Sequence, residues 1–352
     1  MSQQNNIPNN NNLTNLTNKI ANNSKEVLNQ LASNTYILTL FLFLTCIGFI
    51  MFYFLSKEFR VAKTLSYMKI YTNFQTLTSL NVKALKEFKL ANFHVASSFN
   101  SAHSGHQMFD YVSNEMIYAN LKSGARFLEF TIFNSEYGDD AEPIVSNGYQ
   151  VGEWKLMANS ITFNDACQTI KDNAFDVSSS INGVYNPKDP LFISLNLKTN
   201  YSIPVLNKIH KILGRHFLNL MLPSKYSYSK RNIGEIPLVD LMGKVIILST
   251  DGYQGSKLEE FVNYTWGKEH AKRIHHSEIE TEKDLLKHNK KSISMITPHQ
   301  EGDIFTNNYD PVPAWRQGCQ FVAMNYQKVD MGMDAYISKF KNKSFVLKPD
   351  HY

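Results

Sequence analysis

Histidine is the side chain whose ordinary pKa lies nearest neutrality, so histidines set close together are the first place to look for acid–base chemistry. His94, His103 and His106 fall within thirteen residues of one another, and His275 and His276 are adjacent. Neither group has the spacing of a metal motif: the chain contains no His-x-x-Glu-His or comparable arrangement that would seat a hydrolytic cation. The first three read as loop histidines, more often surface groups than catalytic ones. His275–His276 and the charged run from Glu278 to Lys291 read as a solvated helix and loop. Sulfur chemistry is thin as well. Cys46, Cys167 and Cys319 are odd in number and far apart, which excludes a disulfide scaffold and a cysteine-rich zinc site. Asn-x-Ser/Thr triplets stand at Asn12, Asn15 and Asn22, in a stretch so rich in asparagine that chance produces them; their weight depends on which side of a membrane they lie.

The elements that must position such groups divide the chain into zones. Of its 352 residues 43% are hydrophobic and 19% charged, an ordinary globular balance that excludes wholesale disorder. Thirty-six basic residues against 31 acidic ones give a net charge of +5, which suits an anionic membrane surface and does not predict nucleic-acid binding. Residues 1–35, about a third of them asparagine, have too little apolar surface to offset ordering and are expected to be disordered. Tyr36–Leu55, YILTLFLFLTCIGFIMFYFL, is twenty residues without a charge. At 1.5 Å per residue it spans a hydrocarbon core of about 30 Å and predicts a single transmembrane helix. A signal peptide is disfavoured because the run is long, begins deep in the chain and ends in aromatics and Lys57. Lys57, Arg60, Lys63 and Lys69 on the C-terminal side outnumber Lys19 and Lys25, which places the body in the cytosol and the tail outside or in a lumen. Residues 56–90 read as a stalk, a spacer or short coiled coil, with a juxtamembrane helix lying on anionic lipid as the alternative.

Residues 91–352 alternate short apolar runs with helical-length segments. RFLEFTIF, LFISLNL, KVIILST and CQFVAMNY have the character of buried strands, and Asp165–Asp176 and Val205–Leu220 that of helices. The pattern predicts an α/β fold with a parallel sheet, and the length fits a (β/α)8 TIM-type barrel. In that fold functional groups sit at the C-terminal ends of the strands.

Those strand ends carry a family likeness. NNYDPVPAWRQGCQFVAMNYQKVDMGMDAYISKF and FVLKPD near the end of the chain resemble the Y region of eukaryotic phosphoinositide-specific phospholipase C, S-N-Y-x-P-x-x-x-W-x-x-G-C-Q-x-V-A-L-N-x-Q-T followed by M-D and G-Y-V-L-K-P. Asn308, Tyr309, Pro311, Trp315, Gly318, Cys319, Gln320, Val322, Ala323, Asn325, Gln327, Met333, Asp334 and Lys348–Pro349 match in order. Ser97–Ala102, Gly124–Phe133, Glu142–Tyr149 and Ile193–Thr199 are similar to the X-region motifs S-S-H-N-T-Y, G-C-R-x-x-E-L-D-x-W, E-P-x-x-x-H-G and L-S-L-E-N-H. Leu241–Gly252 falls where the family has L-x-G-K-I-L-x-K-x-K. The resemblance implies an X-like half over 91–222, a short linker over 223–235 and a Y-like half over 236–352. It also makes Cys319 an inert core thiol.

The reaction the resemblance implies is attack of the inositol 2-hydroxyl on the neighbouring phosphodiester. Two histidines serve as base and acid, a calcium ion on oxygen ligands supports the transition state, and basic residues grip ring phosphates. At the family's two histidine positions this chain has Phe99 and Asn147. Of the metal positions Asn100 and Glu129 match, but Thr131 and Asn196 replace carboxylates; the family's basic positions fall at Leu248, Thr250 and Met295. Asn100 and Glu129 are left either as weak cation ligands or as hydrogen-bonding groups at the barrel mouth. The expectation is a membrane-anchored pseudoenzyme with a binding or scaffold role, without cofactor, calcium entering only with residual activity. Its partners would be membrane lipid through the helix and an unidentified protein. The alternatives are an active phosphoric diester hydrolase with a rearranged acid–base pair, and a structural membrane or virion component.

Overall fold

The computed structural model describes residues 10–72, 76–81, 85–106, 110–151, 153–175, 183–227, 231–298, 305 and 307–349. Two units are separable, Met1–Glu58 and Phe59–Tyr352. The first consists of most of helix α1 (Asn10–Thr72). Where disorder was expected, the chain is already helical from Asn10. Once a helix is nucleated, each further residue adds a hydrogen bond at the cost of ordering only itself, so a long apolar helix extends readily into a polar flank. Along its apolar stretch the described hydrophobic side chains are exposed: Phe41 is 66% exposed and Phe49 71%. It is the one helix among the described residues long and apolar enough to cross a membrane, by length and composition.

The second unit is a nearly closed parallel barrel. In chain order its elements are β1 (Phe93–Ser98), α2 (Asn114–Lys122), β2 (Phe127–Asn134), a hairpin of β3 (Pro143–Val151) and β4 (Glu153–Thr162), α3 (Phe163–Ala174), β5 (Leu191–Lys198) and α4 (Ile203–Phe217). The second half contains α5 (Leu238–Leu241), β6 (Val245–Ser249), β7 (Val262–Thr265), β8 (Ala271–His275), α6 (Leu285–Asn289), β9 (Ile293–Thr297), α7 (Val312–Arg316), β10 (Phe321–Met324), α8 (Met331–Phe340) and β11 (Phe345–Leu347). Eight strands run side by side in the order β7-β6-β5-β2-β1-β10-β9-β8. Their registered pairs are parallel, while β11 pairs antiparallel with β1 and the hairpin with β2. The sequence placed β2, β5, β6 and β10 as strands and α3 and α4 as helices, within a few residues of their ends.

Alternation along the strands separates two cores. Phe93, Val95, Phe127, Phe192, Ile246, Met295 and Phe321 form the inner cluster that fills the barrel. Leu128, Ile193, Ile247 and Val322 point out to meet α2, α3 and α4. The stalk does not behave as a spacer. Val61, Met68 and Tyr71 are buried, Thr64 Oγ1 donates to the Ser104 carbonyl at 2.8 Å, and Tyr71 Oη donates to Asp334 at 3.2 Å. The last turns of α1 are thus part of the barrel body, because Val61, Leu65 and Met68 recur on one helical face and find an apolar surface to cover.

Candidate functional site

Period-two alternation sends the strand-borne members of the sequence-derived site set toward the barrel interior. On β2, Phe127, Glu129 and Thr131 share a face; on β5 the registered partners of Glu129 and Thr131 are Ser194 and Asn196; on β6, Leu248 is registered with Ser194. On β9, Met295 belongs to the same inward set, together with Phe99 just past the end of β1. Asn100, Glu129, Thr131 and Asn147 border one small space, while Phe99, Leu248 and Met295 belong to the inner apolar cluster. Phe99 is 5% exposed, and Leu248 and Met295 are fully buried in the inner core. Thr250 caps its neighbour strand, its Oγ1 accepting from Leu197 N at 2.9 Å.

The polar remainder forms a small network. Asn196 Nδ2 donates to Thr131 Oγ1 at 3.3 Å, and Thr131 Oγ1 donates to Asn100 Oδ1 at 3.2 Å. Asn100 itself is held at φ +41°, in the left-handed region that asparagine enters more easily than most residues. Its carbonyl accepts from His103 N at 2.9 Å to close the turn after β1. Asn147 is buried at a register shift in the β3–β4 hairpin, between Ser146 and Gly148.

Glu129 is fully buried, and Arg273 Nη2 donates to its Oε1 at 2.9 Å. Arg273 lies on β8, four strands from β2 in a ring of eight, so this ion pair crosses the barrel from the opposite wall. Burial pushes the Glu129 carboxyl above its usual range; Arg273 and then Lys198 pull it back, and burial is the larger effect. Among the described residues Oε2 has no hydrogen-bond partner. Sequence reasoning missed Arg273. The signal was present, since Ala271, Arg273 and His275 alternate in a five-residue strand, but so short and polar a run has no apolar contrast to mark it.

A hard divalent cation takes 6–8 oxygen ligands with several carboxylates among them. Here the donors are two amides, one hydroxyl and one carboxylate, and that carboxylate already faces a guanidinium. Among the described residues no three His, Cys, Asp or Glu side chains come together to hold a metal. The residues present do not fit a calcium ion. The space bordered by Asn100, His103, Glu129, Thr131 and Asn147 amounts to ≈ 10 Å³, about what one water requires and far below a sugar phosphate.

Of the three loop histidines, His94 and His103 are buried, while His106 is half-buried. His94 is fully buried on the outer face of β1, its Nδ1 2.8 Å from the Cys319 carbonyl, well away from the strand's C-terminal end. His103 is also buried, with Nδ1 3.0 Å from the Gly105 carbonyl, and it borders the same small space as Glu129. His275 ends barrel strand β8 rather than lying in a helix or loop, both it and His276 are half-exposed, and Cys319 is a buried thiol pushed up to about 12 by burial.

Comparison with known proteins agrees with this architecture. Residues 87–250 match the phosphatidylinositol-specific phospholipase C X domain and residues 250–351 the Y domain of the same enzyme. The 1-phosphatidylinositol 4,5-bisphosphate phosphodiesterase gamma of Caenorhabditis elegans is 41% identical over 73 residues, 20% of this chain and 5% of that protein. The delta-3-A phosphodiesterase of Danio rerio is 22% identical over 326 residues, covering 74% of this chain and 38% of its own length. Among solved structures, PLC21 of S. officinalis superposes with a TM-score of 0.63 at 23% identity, over 77% of this chain and 38% of that one. This chain thus spans well under half the length of these relatives. With both domains contiguous on one barrel, the chain belongs to the phosphatidylinositol-specific phospholipase C family.

Proposed function

We propose that this chain is a membrane-anchored, catalytically silent member of its family whose barrel serves as a binding or scaffold module on the cytosolic face of a membrane. The observation that carries this reading is the Arg273–Glu129 pair. The one carboxylate kept from the family's metal set is neutralised by a guanidinium, while Phe99 and Asn147 stand where acid and base are needed. Neither of those side chains exchanges a proton near neutral pH. The described space bordered by Asn100, Glu129 and Asn147, ≈ 10 Å³, is far smaller than an inositol phosphate. The apolar stretch of α1 supports the anchor. The test is release of water-soluble inositol phosphate from phosphatidylinositol and phosphatidylinositol 4,5-bisphosphate, with calcium or with chelator, by the purified full chain. Background release is expected in every arm. Turnover that Glu129→Ala abolishes would overturn the reading.

A second reading, a phosphodiesterase with a rearranged acid–base pair, is favoured by one observation: His103 and Glu129 border the same space. It requires turnover that needs no calcium and disappears in His103→Gln.

A further inference from the structure

We propose that a basic cleft beside the barrel mouth, between the last turns of α1 and the loops after β1 and β10, is a binding site for a phosphomonoester group. The cleft encloses ≈ 630 Å³ and shares no residue with the barrel-mouth site, so it stands or falls independently of whether catalysis is lost.

Three cations line it, Arg60 and Lys63 from α1 and Lys328 from the loop after β10, against one carboxylate, Asp110. Arg60 and Lys63 are three residues apart and therefore neighbours on one helix face. That face is fixed to the body by the Thr64–Ser104 hydrogen bond one turn on. Asp110 is already committed. Its Oδ1 accepts from Arg60 Nη1 at 3.1 Å and its Oδ2 from His106 N at 2.7 Å. The approach is tight enough that a Cβ on Gly105 would sit 2.2 Å from Oδ2, so only glycine fits there.

Lys63 and Lys328 differ from Arg60: among the described residues neither has a carboxylate within ion-pair distance. Lys328 Nζ instead donates to His106 Nε2 at 3.0 Å, which uses the lone pair of a neutral imidazole. Burial and then Lys328 itself hold His106 below its usual pKa, which keeps it an acceptor. Lys328 stands where the family pattern quoted above has threonine, so this charge is a feature of this chain.

Two ammonium groups with no described carboxylate in ion-pair contact, Asp110 and Asp330 acting on Lys328 only from farther away, leave the cleft with an excess of positive charge that suits a dianion. A phosphomonoester supplies close to two charges and three strong acceptor oxygens near pH 7; a carboxylate or a phosphodiester supplies one charge. The cleft is several times larger than a phosphate group, so the group's carrier is accommodated too. Either a lipid or a soluble metabolite presents this chemistry. Arg60 and Lys63 come five and eight residues after Leu55, the last residue of the apolar stretch, where juxtamembrane basic residues meet anionic headgroups.

The experiment uses the full chain in neutral detergent. Native mass spectrometry counts retained phosphatidic acid, a phosphomonoester lipid, against phosphatidylglycerol, a phosphodiester, and phosphatidylcholine. Calorimetry with inorganic phosphate and glycerol 3-phosphate forms the soluble arm. Wild type is expected to hold a phosphomonoester in at least one arm, and phosphatidic acid over phosphatidylglycerol if the carrier is lipid. Each lost charged contact is expected to weaken binding about tenfold, so Lys63→Gln and Lys328→Gln each lower affinity by that factor and Lys328→Arg restores it. Lys63 is exposed, so its variant tests the site without a folding defect. Binding in the lipid arm alone identifies a headgroup, and binding in the soluble arm alone a metabolite; both support the site. No binding in either arm overturns it. So does an equal loss in Lys290→Gln/Lys291→Gln, which would reduce the effect to surface charge.

Discussion

At the scale of single residues, the ion pair between Glu129 and Arg273 sets definite energetic expectations. Removing one partner of a buried pair leaves an uncompensated charge, whereas removing both leaves little to compensate. Arg273 is 27% exposed while Glu129 is fully buried, so the penalty belongs at the low end for such pairs. Arg273→Met is expected to lower the stability of the full chain by about 2 kcal/mol, as Glu129 either stays charged without a partner or takes up a proton. Glu129→Gln/Arg273→Met is expected to recover most of that loss. Thermal unfolding followed through intrinsic fluorescence measures all three proteins, and a double variant no more stable than Arg273→Met would refute the pairing. The same scans with calcium or chelator should give one midpoint for wild type, since a ligand that binds only the native state would raise it.

The strands set the next scale, because a residue's parity along a strand decides whether it meets the barrel interior or the helices. On β1 that parity sends Phe93 and Val95 inward and turns His94 outward, 6.3 Å from the Trp315 ring. Burial, helped by Lys339 and Lys348, pushes His94 down to about 3, so the folded protein holds it neutral while the unfolded chain titrates near 6.5. Between those values the unfolded state binds the extra proton, so stability falls as pH drops from 6.5 toward 3. About 2 kcal/mol is expected to be lost between pH 7 and pH 5, a slope that His94→Gln should flatten in unfolding midpoints measured across that range. Gly124, the turn from α2 into β2 that delivers Glu129, makes a second case. At φ +93° with Leu77 Cδ2 2.9 Å from an added Cβ, Gly124→Ala is expected to cost about 1–2 kcal/mol in denaturant unfolding, and a neutral effect would argue against a rigid turn there. Strands of this kind were legible from sequence in proportion to their apolar contrast. LFISLNL and KVIILST declare themselves because both faces are buried, whereas AKRIH and VNYT carry polar groups into the interior and lack the apolar contrast that marks a strand. The convergence of Phe99, Asn147 and Glu129 was legible only through motif order, since nothing local joins residues so far apart. Arg273 had no motif to join, and only the ring of strands brings it across to Glu129.

At the scale of the whole molecule, α1 exposes Phe41, Phe43 and Phe49 along its apolar stretch. Apolar side chains on every face for twenty residues are stable in lipid and a liability in water, which is why the membrane reading organises the rest. On the membrane reading, the basic residues after Leu55 have an anionic surface to meet. Charges placed at the centre of the stretch test the insertion itself. Each lysine there costs about 2.5–3.5 kcal/mol on the insertion scale, so Phe43→Lys/Ile47→Lys is expected to move the full chain out of the alkali-resistant membrane fraction. Orientation then follows from chemistry confined to one side. With the body in the cytosol, translation into microsomes should glycosylate the tail at Asn12, Asn15 or Asn22, removable by an amidase and absent when all three are changed to Gln. Added protease should digest the barrel while sparing the glycosylated fragment. A protected barrel with an unmodified tail would reverse the orientation, place both lysines of the basic cleft on the lumenal side, and remove the argument that they meet the anionic cytosolic leaflet.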